Sequence, residues 1–188
     1  FMNHKTNLII NFICKLPQEA LKEKPLDDLL KKYTFLISLI DFFNQNEKLK
    51  INLYINGLLV SYLDKKIPDF SSKIRTLLER NQLELLCGGI YEPLFSFIPK
   101  DDRQSQLLLM NRLLNHNFGY NAIGAYLTEN IWETSLAIDL SKAKIEYTFL
   151  PKDYFTNSNL KNDEISGYYI TEEEDRKIAV FPIFKLIT

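Results

Sequence analysis

The chain has 188 residues, 46% of them apolar and 13% aromatic, which is enough for one domain with a substantial core and excludes a disordered chain. Basic and acidic residues number 23 and 24, a formal net charge of -1, so no basic surplus points to nucleic acid and no charged tail to a polyanion. No apolar run has the length of a membrane span, and no signal peptide is expected because the short apolar run near the start is broken by Asn11.

In chain order, "NLIINFIC" (7–14) is a continuous apolar run, as expected of a strand buried on both faces. A long helix is predicted from about Leu26, where Leu29, Leu30, Tyr33, Leu36, Ile37, Ile40 and Phe43 recur at helical spacing. "KINLYIN" (50–56) is the second strand, closed by Gly57, and Asp69 is placed as the cap of the next helix. "QLELLC" (82–87) is the third strand. Pro99, Asp101 and Asp102 open a helix that runs to about Asn117 and stops at Gly119, with negative charge at its positive end. "AIGAYL" (122–127) is the fourth strand, a helix is predicted from about Ile131 to Ala143, and "IEYTFL" (145–150) is the fifth strand. A last hairpin, 167–170 with 177–182, brackets the acidic run Glu172 to Asp175.

Alternating strands and helices define an α/β fold with a mainly parallel sheet. An open sheet and a barrel both satisfy this pattern; a full eight-stranded barrel takes about 250 residues, so this chain would hold only part of one. No glycine-rich phosphate loop follows the first strand, which argues against a dinucleotide site. Cys14 and Cys87 lie inside strand-like runs and read as reduced, buried thiols of a cytoplasmic protein. His4 and His116 stand alone, so no metal or other cofactor is expected.

Ligand sites of parallel α/β folds form at the carboxyl ends of the strands. The residues that follow each strand here include Lys15, Asn56, Tyr91, Glu92, Glu129, Trp132 and Asp153. Aromatic rings beside carboxylates suit a sugar, whose apolar face stacks on a ring while its hydroxyls bind acids. Retaining glycosidases hold two such acids about 5–5.5 Å apart. Taken singly, Glu129 could cap the following helix, Glu92 could partner a basic group, Asp153 could cap a turn, and Trp132 and Tyr91 could be core and rim aromatics. Their convergence on one rim favours a site.

"ELLCGGIYEPLFSFIPKDDR" (84–103) resembles the second signature of glycoside hydrolase family 57, and "AYLTENIW" (125–132) resembles the third, whose glutamate is the nucleophile. The resemblance implies a (β/α)₇ barrel, residues 1–188 being a single domain that forms the amino-terminal portion. It implies a retaining amylase or 4-α-glucanotransferase acting on α-glucan or maltooligosaccharide. Glu129 is then the nucleophile, Tyr91 and Glu92 line the donor-sugar subsite, Trp132 packs against it, and Asp153 matches an aspartate of the strand-five loop.

The first signature of that family, His-Asn-His-Gln-Pro, falls on Ile13, Cys14, Lys15, Leu16 and Pro17, where only the proline matches. Tyr126 and Asn130 replace the tryptophan and arginine that flank the nucleophile, Phe155 replaces a histidine, and the family's acid/base aspartate lies beyond Thr188. These departures define the alternative reading, an inactive descendant that binds sugar or serves assembly. Its open barrel edge would be covered by a second chain or another copy. A polysaccharide deacetylase would need a histidine pair for metal that this chain lacks.

Overall fold

The computed structural model describes residues 11–15, 26–158, 160 and 165–183, with side chains of the first helix described from Tyr33 onward. Strand β1 (Asn11–Cys14) pairs in parallel with β2 (Ile51–Ile55), and β2 with β3 (Leu83–Leu85). Strand β4 (Gly124–Ala125) pairs in parallel with β5 (Tyr147–Pro151), and β5 with β7 (Arg176–Ile183). A bridge between Cys87 and Ala125 joins the two sets, with Cys87 N donating to Gly124 O at 2.8 Å and Tyr126 N to Cys87 O at 2.8 Å. The result is one arc of parallel strands in the order β1-β2-β3-β4-β5-β7. Strand β6 (Tyr169–Glu173) closes its far end antiparallel to β7. This is the mainly parallel α/β sheet that the strand–helix alternation predicts and the partial barrel that the resemblance implies.

The helices cover the arc. Helix α1 (Leu26–Gln45) buries Tyr33, Leu36, Ile40 and Phe43, the stripe read from the sequence; Leu29 and Leu30 lie outside the described side chains. Gln82 is buried and its amide nitrogen shares its two hydrogens among the carbonyls of Phe43 in the last turn of α1 and of Asn46 and Leu49 in the α1–β2 loop. Two helices, α2 (Gly57–Lys66) and α3 (Phe70–Glu79), cross from β2 to β3. Helix α4 (Lys100–Phe118) ends at Gly119, whose φ of 69° supplies the left-handed cap. Helices α5 (Leu136–Lys142) and α6 (Lys152–Thr156) flank β5.

Four expectations are corrected. Gly57 does not close β2: it opens α2, because the Asn56 side chain accepts from Leu58 N at 2.9 Å and Leu59 N at 3.3 Å. Asp69 precedes α3 but makes no side-chain cap: its φ of 64° is left-handed, not the extended backbone from which a cap side chain normally reaches the helix. No helix starts at Ile131. Residues Thr128–Asn130 form a 3₁₀ turn, Ile131 is extended, and the helix begins only at Leu136. The acidic turn is shorter than expected: Glu172 and Glu173 lie in β6, and only Glu174 and Asp175, with φ of 46° and 59°, make the bend. The part of the first strand predicted at residues 7–10 lies outside the described residues.

Candidate active site

The carboxyl ends of β1 to β5 share one rim. Three non-glycine residues there adopt left-handed backbone: Glu92 (φ 52°), Glu129 (φ 55°) and Asn130 (φ 53°). Asparagine tolerates this region, but glutamate has no local hydrogen bond to offset a cost of about 1–3 kcal/mol. Both rim glutamates are therefore held in strained backbone by what surrounds them. Glu129 is not a helix cap, because no helix begins beside it. Its side chain is 66% exposed and its Oε1 lies 2.6 Å from the Lys15 ammonium at the end of β1.

Lys15 is fixed from several sides. Its carbonyl accepts from the Tyr33 hydroxyl at 2.6 Å, and its ammonium sits 5.2 Å above the centre of the Tyr126 ring. Partial burial opposes the ammonium charge, but Glu129 and Tyr126 outweigh it, and the lysine pKa is raised above its ordinary value. Tyr126 in turn packs on Tyr54, ring centres 4.9 Å apart.

Glu92 faces this pair from the loop after β3. Burial pushes its carboxyl above the usual glutamate value; the neighbouring Asn56, Lys15 and Tyr54 pull it down, and the Glu129 charge adds to the rise. Its Oε1 is buried without a hydrogen-bond partner among the described residues. The close approach of β3 and β4 that sets this geometry needs Gly88: a Cβ there would stand 2.8 Å from both Tyr126 O and the Tyr54 ring. That packing also lets the Tyr54 hydroxyl donate to Gly89 O at 3.2 Å.

Of the predicted site residues, the structure brings Glu92 and Glu129 together around Lys15. Tyr91 is 58% exposed beside Glu92, its N–H donating to Gln106 Oε1. Trp132 is half-buried, and its backbone N–H donates to the Tyr154 hydroxyl at 3.2 Å, which ties the Glu129 loop to α6. Asp153 is exposed in the first turn of α6, and its carboxylate makes no hydrogen bond or ion pair among the described residues. Sequence reasoning placed Lys15 and Asn56 on the rim without giving them a role, and it missed Arg103. The Arg103 guanidinium donates to Ile98 O at 3.0 Å and pairs with Glu133 at 2.7 Å, so it ties the Glu92 loop to the segment after Glu129. Its place as the last residue of the second signature was the available signal.

The fold is thus an arc of parallel strands with helices on its outside and two glutamates at its carboxyl rim. The model of the glycosyl hydrolase family 57 matches residues 9–186, and the chain belongs to that family. The α-amylase 1 of Dictyoglomus thermophilum is 36% identical over 145 residues, which cover 77% of this chain and 21% of that protein. The 4-α-glucanotransferase of Thermococcus litoralis is 33% identical over 144 residues, 77% of this chain and 22% of that one. The crystal structure of the latter enzyme superimposes with a TM-score of 0.82 at 28% identity, covering 93% of this chain and 27% of that chain. The chain thus spans about a fifth of the length of the curated relatives it matches. Among the described residues, no helix is long and apolar enough to cross a membrane.

Proposed function

We propose that residues 1–188 form the amino-terminal portion of a family 57 barrel and supply the nucleophile side of a retaining site for α-glucans, of the amylase or 4-α-glucanotransferase type. Glu129 attacks the anomeric carbon, Glu92 and Tyr91 hold the donor sugar, and Trp132 backs the loop. Asp153 would reach substrate only from the outer rim. The observation that carries this reading is the presentation of Glu129: an accessible carboxylate in strained backbone at the end of β4, beside a cation and opposite a second acid. Glu92 adds a second carboxylate beside the Lys15–Glu129 pair, a group whose oxygens accept from sugar hydroxyls.

No cofactor enters this chemistry, and the two free thiols, Cys14 and Cys87, suit the cytoplasm. General acid help, typically worth about 10²–10⁴-fold, would come from outside this chain. The test compares the full-length protein with Glu129→Gln on maltooligosaccharides and on α-maltosyl fluoride, whose leaving group needs no acid. Turnover of the fluoride that is lost in the variant supports the reading; equal turnover by both overturns it.

One observation favours the second reading, a sugar-holding or assembly protein without turnover. Where the family's first signature offers polar groups, Ile13 is 37% exposed and burial pushes the Cys14 thiol up to about 11. Maltooligosaccharide binding without turnover of the fluoride would establish it. In either case β1 carries no strand on its outer side among the described residues, an edge for the rest of the barrel, a second chain or another copy to cover.

A further inference from the structure

The nucleophile reading leaves Lys15 without a role. It stands where the family's first signature has a histidine, a residue that can be neutral, and it brings a permanent charge instead. Its Nζ is 2.6 Å from Glu129 Oε1, and its backbone is anchored by Tyr33. Among the described residues, the groups beside the pair include Glu92 from the loop after β3, Tyr126 from the end of β4 with Tyr54 packed on it, and Tyr33 from α1, itself next to Cys14 on β1.

We propose that Lys15 is a positioning residue for Glu129, resting on the reading of Glu129 as nucleophile. It holds the carboxylate at the β1 rim and acts as counterion when that carboxylate is released from the sugar. The physical argument is an asymmetry between the two half-reactions. When Glu129 attacks, its charge is consumed as the new bond forms, so a neighbouring ammonium stabilises the starting carboxylate more than the transition state. When the glycosyl–enzyme bond breaks, that charge returns, and the same ammonium now stabilises the transition state. Lys15 therefore slows attack and speeds release. A merely structural residue would not move the two steps in opposite directions.

With α-maltosyl fluoride, Glu129 Oε bonds to C1 as the C1–F bond breaks and fluoride leaves with the electron pair. Water oxygen then bonds to C1, the C1–Oε pair returns to Glu129, and the water's proton passes to solvent. The experiment uses the full-length protein with Lys15→Met and Lys15→Arg, quenched during steady turnover, with the glycosylated fraction of Glu129 read by peptide mass spectrometry. An ion pair of this exposure shifts rates by about 2- to 5-fold. The methionine variant is expected to hold that much more adduct at steady state and to turn over more slowly, while arginine restores the wild-type fraction. Adduct at Glu129 in equal or smaller fraction in the methionine variant overturns the role of Lys15 and leaves the nucleophile standing. No adduct at Glu129 in any of the three folded proteins overturns both.

Discussion

Replacing Arg103 by methionine tests what holds the two site loops together. The Arg103 guanidinium is only 13% exposed and donates to Ile98 O at 3.0 Å and to Ser135 Oγ at 3.2 Å. It pairs with Glu133 at 2.7 Å and approaches Asp139 at 3.6 Å. Asp139 is the expensive partner, because its side chain is 2% exposed and, among the described residues, keeps only the Gln104 amide, 3.2 Å away, once the arginine is gone. Stranding a buried charge typically costs about 3–5 kcal/mol. The Glu133 pair adds little, since that carboxylate is 41% exposed and screened by water. Allowing for the retained Gln104 bond, the loss is about 3 kcal/mol, or about 6–12 °C in melting temperature for a domain of this size.

Urea unfolding of wild type, Arg103→Met, Asp139→Asn and the double variant would read this directly. If the stranded Asp139 charge dominates, the double variant recovers about 1–2 kcal/mol of the Arg103→Met loss. A single variant within 1 kcal/mol of wild type, or a double variant that merely sums the singles, refutes the assignment. The same variant bears on the site, since Arg103 fixes a carbonyl of the loop that carries Tyr91 and Glu92.

Gly88→Ala should destabilise by about 1–3 kcal/mol, because the new methyl meets a strand carbonyl that cannot step aside; a melting temperature equal to wild type would contradict the close β3–β4 approach. Glu92 has its pKa raised by burial, so the folded state favours its protonated form: the stability this lends is present below the ordinary glutamate pKa of 4.5 and is lost as pH rises through the raised value. Glu92→Gln should therefore gain stability over wild type at pH 7 and lose that advantage by pH 4, as thermal melts at the two values would show. Burial pushes the Cys14 thiol up to about 11 and the Cys87 thiol to about 12, against an ordinary 9.0. Iodoacetamide at pH 8 should modify Cys14 about 10²-fold more slowly than a free thiol and leave Cys87 unlabelled until the protein unfolds, which peptide mass spectrometry would check.

The strand positions and the rim were legible in the sequence because both are written in local pattern, whereas the insertion of β7 between β5 and β6 was not. Apolar runs announce strands, helical stripes announce crossovers, and the residues after each strand must lie at the same end of a parallel sheet. Helix α2 was hidden by a glycine that usually terminates, and it took the Asn56 side chain to convert Gly57 into a first helical residue. The turn at Glu129 was hidden by favourable helical composition from Ile131 onward, overridden by two successive left-handed residues. What the sequence could not carry was pairing at a distance. Lys15 and Glu129 are separated by 114 residues, and nothing local to either names the other. The same holds for Arg103, which looks like one more charge in "KDDR" until the fold brings Glu133 and Asp139 to it. A motif comparison even pointed away from Lys15, marking it as a lost histidine. In the folded chain that substitution puts a cation within 2.6 Å of the carboxylate assigned to attack. A departure from a signature is thus a statement about one strand end alone, and its chemical meaning depends on which other strand ends face it.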